Sequence, residues 1–121
     1  MDNFDYHAGD ADTRPWGNWR VLGSDNAFVV KRIEIAAGQR VSLQYHEHRS
    51  EHWVVVAGQG LVTIGGDEFR VSARHSVFVP RQIPHRVFND GKEPLIFIEV
   101  QIGDHLAEDD IVRLEDDYCR C

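Results

Sequence analysis

The sequence predicts an all-β domain, a sandwich or barrel of short strands. Three observations carry this. Short runs rich in Val, Ile, Phe and Trp recur about every ten residues. Gly-rich turn signals separate them. The length of 121 residues, 42% of them hydrophobic, fits one domain with its own core.

Residues 1–13 contain four Asp and little apolar content, and read as a loosely held N-terminal arm before a single domain over 14–121. The strand candidates are Trp19–Leu22, Phe28–Ala36, Val41–Tyr45, His52–Val56, Leu61–Ile64, Glu68–Val71, Ser76–Val79, Arg86–Asn89 and Leu95–Ile102. Turns between them fall at Gly23–Asn26, Ala37–Gln39, Gly58–Gly60, Gly65–Asp67 and Asn89–Gly91. Near the C-terminus, Asp109–Glu115 places acidic residues before apolar ones and predicts a short helical segment. Trp53–Val56 and Leu95–Ile98 are apolar on both faces of a strand. An outer cover is therefore expected, either the N-terminal segment or a second subunit, with a homodimer favoured.

Composition excludes several functions. There are 20 Asp+Glu against 13 Lys+Arg, a formal net charge of -7, which disfavours a nucleic-acid partner. No apolar run approaches the ~20 residues of a membrane span, and the acidic start does not resemble a signal peptide. Cys119 and Cys121 at the tail give no disulfide framework, so a reduced, cytoplasmic setting is expected.

The chemistry concentrates between Gln44 and Trp53. Gln44, His46 and His48 share parity, so a continuous strand would set them on one face, neighbours about 6.6 Å apart. A turn near Arg49 and Ser50 would return Glu51 or His52 alongside. His85, after the Pro-stiffened Pro80–Pro84 turn, is the candidate for a further ligand. A competing set is His46, His48 and His52.

These residues resemble the cupin family, whose first motif is Gly, five residues, His-x-His, four residues, Glu, six residues, Gly. Here Gly38, Gln44, His46, Glu51 and Gly58 fall in those places, with Gln for the first His. The second motif, Pro-x-Gly-x-x-His-x-x-x-Asn, matches at Pro80, His85 and Asn89, with Gln82 in the Gly place. The resemblance implies a double-stranded β-helix, or jelly-roll barrel, around a metal.

A narrower resemblance rests on Arg14–Gly17, Val30–Ile33, Ser42–His46, His48–Val56, Ile98–Gln101 and Glu108–Arg113. Together they resemble the type II mannose-6-phosphate isomerases, known mostly as the C-terminal part of a fused guanylyltransferase. This implies a metal-dependent aldose-ketose isomerase acting on mannose 6-phosphate. It implies Gln44, His46, Glu51 and His85 as ligands of a divalent ion (zinc first, with Mn, Co or Fe also compatible), a set similar to that of the type I isomerases. It also makes Arg49 a residue of the activity. A tail ending Tyr118-Cys119-Arg120 departs from the usual Tyr-Gly-Arg.

Such chemistry needs a base and an anion site. His48, His52 and Glu99 are the base candidates. Arg49, Lys31, Arg86 and Arg14 are candidates to hold the phosphate of a sugar phosphate. Lys31 and Arg32 differ in parity, so only one can face inward. Trp16, Trp19 and Trp53 read as core or subunit packing. A non-catalytic sugar-phosphate binder and a small iron oxygenase remain as alternatives.

Overall fold

Apolar side chains at every second position bury one face of the longest strands, and the strands close over that face as two antiparallel sheets. A computed structural model of the protein describes residues 6–118 and contains eleven strands. They are β1 (Ala11–Arg14), β2 (Gly17–Ser24), β3 (Phe28–Ile35), β4 (Leu43–Tyr45), β5 (Arg49–Ala57), β6 (Gln59–Ile64), β7 (Asp67–Ser72), β8 (Ser76–Val79), β9 (His85–Phe88), β10 (Leu95–Gly103) and β11 (Val112–Glu115). One sheet has the order β1-β2-β3-β10-β5-β8 and the other β11-β4-β9-β6-β7. The chain thus crosses repeatedly between sheets, and β10 lies between β3 and β5, its distant neighbours in sequence.

The inner faces meet in a core that includes Val29, Ile35, Val55, Val62, Val87 and Leu95. Buried polar residues interrupt it, among them Lys31, Arg49, Glu51, His85, Glu99 and Gln101. A buried polar group is costly unless partnered, so this cluster marks the site.

The expected helical segment at Asp109–Glu115 is a correction: no helix occurs among the described residues, and Val112–Glu115 is β11. Its backbone pairs with the free edge of β4, Val112 opposite Tyr45 and Arg113 opposite Gln44. The Asp110 carboxylate does not start a helix; it binds the backbone N–H groups of Glu47 and His48 instead.

The described part of the N-terminal arm is held, not loose. Residues 11–14 pair with β2, Val21 N–H donates to Asp10 O at 2.7 Å, and Tyr6 packs edge-on against Trp19. The exposed Asp side chains hid this from composition, while the backbone and one aromatic ring make the attachment. Cys119 and Cys121 lie outside the described residues. No helix among the described residues is long and apolar enough to cross a membrane.

Two turns, at opposite ends of β5, shape the barrel. At Gly58, φ is 82° and an added Cβ would lie 2.4 Å from Pro94 O, so the β5–β6 turn requires glycine. Gln82 adopts φ 65° in the place where the second motif has Gly, and its N–H donates to His46 O at 2.7 Å. A non-Gly residue is strained there. Gln82→Gly should therefore raise stability by about 1 kcal/mol, or roughly 4 °C in Tm. Thermal denaturation checks this, and an unchanged or lower Tm contradicts it.

Candidate metal centre

His46 follows the end of β4, Glu51 lies on β5 and His85 opens β9. β5 and β9 belong to different sheets, so the three residues bridge the barrel. Each offers a ligand atom within 4.8 Å of the other two, and all three are buried.

Their hydrogen bonds turn both Nε2 atoms toward the cluster, where His46 Nε2 also lies 3.3 Å from Arg49 Nη2. His46 Nδ1 lies 2.6 Å from Asp110 O and His85 Nδ1 lies 3.0 Å from Ile83 O. A carbonyl only accepts, so both Nδ1 atoms carry the proton and both Nε2 atoms present lone pairs. His85 Nε2 is buried with no hydrogen-bond partner. His46 Nε2 lies 3.2 Å from Glu51 Oε2. Two lone pairs and a carboxylate converging in a buried pocket are the donor set of a divalent ion such as zinc. The residues present therefore fit a metal.

Electrostatics agree. Burial holds the His46 imidazole down, to about 4, and lowers that of His85. Burial pushes the Glu51 carboxyl up, but the Arg49 guanidinium and the two imidazoles outweigh it and hold it well below the usual range. Both Arg49 Nε and Nη2 lie 2.9 Å from Glu51 Oε2, and Trp53 Nε1–H donates to Oε1 at 2.9 Å. Glu51 is thus charged and oriented by two donors.

Beside it, the register aligns Lys31, Glu99 and Trp53 across β3, β10 and β5. Glu99 accepts from Gln101 Nε2 at 2.7 Å, and burial, then the neighbouring Glu51 charge, pushes its carboxyl up to about 8. Lys31 Nζ sits 4.0 Å from the Tyr6 ring centre and 4.3 Å from that of Trp19, and pairs with Glu108 at 3.4 Å. Burial lowers its affinity for the proton, with Glu99 opposing.

The metal-centre residues, Lys31 and Glu99 line one narrow cavity with an interior volume of about 90 Å³ that opens at a mouth. Gln44 lies on its wall, opposite His85 in the β4–β9 pair, with Oε1 accepting from Ser42 Oγ at 2.9 Å. Arg14, Lys31, Arg49 and Glu99 also line it. So do the buried Trp16, Trp19 and Trp53, which are both packing and wall.

Other expected residues lie elsewhere. His48 is a correction: it is exposed and faces Asp104 at 3.5 Å. β4 stops at Tyr45, so the shared parity of Gln44, His46 and His48 does not extend through the bend. His52 points outward from β5, 4.7 Å from the Phe78 ring, which removes the competing triple. Arg86 is also a correction: His85 and Val87 face the cavity, so strand alternation sends Arg86 the other way, where Nε donates to Val41 O at 2.9 Å.

Sequence reasoning did not single out Glu108 or Arg113, which line the cavity, or Asp110, which braces it. Asp110 and Arg113 come from the segment read as helical, and Glu108 directly precedes it. In the sequence, Glu108–Arg113 carries a signal only through the family resemblance.

A barrel of this topology with a His/Glu/His centre defines a cupin. The family described as "Mannose-6-phosphate isomerase C-terminal" matches residues 2–116, and the chain belongs to it. It is 44% identical over 108 residues to a mannose-1-phosphate guanylyltransferase of Klebsiella pneumoniae, covering 89% of this chain and 23% of that protein. It is 47% identical over 107 residues to the alginate biosynthesis protein AlgA of Pseudomonas aeruginosa, covering 88% of this chain and 22% of that one. The chain thus spans less than a quarter of these relatives.

Among solved structures, a Klebsiella pneumoniae protein with a double-stranded β-helix domain matches with TM-score 0.70 and 21% identity, over 94% of this chain and 92% of that one. A putative sugar phosphate isomerase from Acidithiobacillus ferrooxidans matches with TM-score 0.58 and 23% identity, over 63% of this chain and 50% of that one. At this identity both speak to the fold alone.

His85→Ala should abolish binding of a stoichiometric divalent ion while the barrel still folds. Metal analysis after dialysis, with circular dichroism as the fold check, tests this; full occupancy in the variant contradicts the site.

Proposed function

We propose that this chain is a metal-dependent aldose-ketose isomerase that interconverts mannose 6-phosphate and fructose 6-phosphate. The observation that carries the reading is a buried His46–Glu51–His85 donor set beside Glu99, within a cavity also lined by Arg and Lys side chains. Membership of the mannose-6-phosphate isomerase C-terminal family supports the substrate. Gln44, on the cavity wall beside His85, serves as a fourth ligand.

The reaction moves one proton from carbon 2 to carbon 1 and a second from the oxygen on carbon 2 to that on carbon 1. A divalent ion held by His46, Glu51 and His85 would polarise the carbonyl and steady the enediolate. Glu99 carries the proton: its carboxyl exchanges near neutrality and lies inside the cavity. Arg49 and Lys31 hold the sugar phosphate, joined by Arg14 and Arg113, which takes the role first given to Arg86. Guanidinium groups suit this because they meet phosphate oxygens bidentately. The tryptophan walls limit water at the reacting carbons.

The test is conversion of mannose 6-phosphate by chelated protein after addition of Zn, Mn, Co or Fe. Metal-restored turnover is expected, and Glu99→Gln should lower kcat by about 10²–10⁴-fold with ion binding retained. Silence of the folded wild type with every ion overturns the reading.

We further propose that a second copy covers the outer face of the six-stranded sheet. Val54, Val56, Phe78 and Ile102 are exposed there, beside the half-buried Ile96, Ile98 and Val100. Four strands at about 4.8 Å spacing and about 3.4 Å per residue give a face on the order of 500 Å² before side-chain relief is counted. That approaches the ~800 Å² of accessible surface each partner gives to a standard interface. Arg32 and Glu34, outward on β3, neutralise one another at 3.1 Å, so two acidic chains can meet here without like charges opposed. Light scattering should give a dimer for the wild type and a folded monomer for Val54→Glu. A wild-type monomer contradicts this and leaves the face to another segment or protein.

A further inference from the structure

The strand-free segment between β10 and β11, residues 104–111, lies across the metal centre as a strap. Leu106 and Ala107 are buried in the barrel, so it is anchored and not a surface loop. Glu108 reaches Lys31 at 3.4 Å and Arg14 at 3.1 Å. At the start of the strap Asp104 N–H donates to His48 O at 3.2 Å. Just before it, a Cβ on Gly103 would lie 2.0 Å from that same oxygen, so β10 meets the ligand bend at backbone distance.

Asp110 makes the central contacts, and it does so twice. Its Oδ1 accepts from Glu47 N–H at 2.9 Å and its Oδ2 from His48 N–H at 3.0 Å. Its own carbonyl receives His46 Nδ1–H at 2.6 Å. One residue therefore grips the backbone on the C-terminal side of His46 and also holds the ring of His46. The carboxylate spends both oxygens on this bend. Among the described residues it is not one of the atoms converging on the ion site, where His46, Glu51 and His85 meet.

We infer that Asp110 is a positioning residue of the metal centre: its carboxylate docks the strap onto the 46–48 bend so that its carbonyl fixes the tautomer and aim of the His46 ligand. The physical logic is that of an outer-shell partner. A ligating imidazole binds well only if its other nitrogen has a fixed acceptor, and outer-shell partners of this kind commonly contribute 10–100-fold to metal affinity. Here the acceptor is a main-chain oxygen, which no substitution removes directly. The side chain that holds that oxygen in place is therefore the element that can be tested. The inference rests on the metal reading of the site and extends it to a residue 64 positions away in sequence.

The test uses the whole chain, stripped of metal, and titrates Co²⁺ and Zn²⁺ against a chelator of known affinity. Asp110→Ala should weaken both ions about 10–100-fold. It should also shift the visible Co²⁺ absorption bands, because His46 loses its fixed orientation; a purely structural role would not move those bands in a protein that still folds. Asp110→Asn keeps the volume and one acceptor, so its loss should be smaller, and it serves if the alanine variant does not fold. Asp109→Ala, whose side chain bonds His105 at 2.7 Å, is the control and should bind like the wild type. Affinity and Co²⁺ bands of a folded Asp110 variant that match the wild type overturn the inference and leave the metal centre intact. A wild type that binds neither ion overturns both.

Discussion

Glu51 carries a full charge inside the barrel, and much of the site follows from how that charge is tolerated. An isolated carboxylate at this depth would cost several kcal/mol. Arg49, two residues earlier on the same strand, places two nitrogens on one oxygen, and Trp53, two residues later, donates to the other. Alternation along β5 thus supplies the ion, its counter-charge and a second donor from one face of one strand. The pair also leaves Glu51 deprotonated beside two imidazoles whose lone pairs converge on it.

Sheet topology does the rest. β10 lies between β3 and β5, which brings Glu99 between Lys31 and Trp53 and sets Gln101 opposite Glu51. Two carboxyls then share a buried neighbourhood and cannot both be comfortably ionised; Glu51, with the arginine, keeps the charge, and Glu99 is pushed toward neutrality. Such environments let one cavity hold a charged carboxylate beside a protonated one. His85 arrives from the other sheet, so ligand geometry depends on the barrel staying closed. The strap between β10 and β11 ties the bend bearing His46 to the same frame.

Most of the strands were legible, because period-2 burial and Gly turns leave a direct trace in residue order. His46, Glu51 and His85 were legible through motif spacing. Errors arose where that trace fails. His48 shares parity with His46, but the strand ends one residue before His46 and the bend turns His48 to solvent. Arg86 sits beside His85, and alternation turns it away from the cavity, where it is buried against Val41 O. Residues 109–115 have a helix-like order of acidic then apolar residues, yet the open edge of β4 gives their backbone a ladder partner. Asp110 was invisible as a brace, since its contacts join backbone groups more than sixty positions away. Tyr6 was lost in an acidic segment whose anchoring is mostly backbone.

The proposed function requires one divalent ion between the two sheets, on His46, Glu51 and His85. Crystals grown with zinc or manganese, measured on both sides of that metal's absorption edge, test it most directly. With zinc, one anomalous peak per chain is expected within about 2.0–2.2 Å of both Nε2 atoms and a Glu51 oxygen. A peak held by other side chains, or none at the His46–Glu51–His85 cluster in crystals that contain the metal, would contradict it.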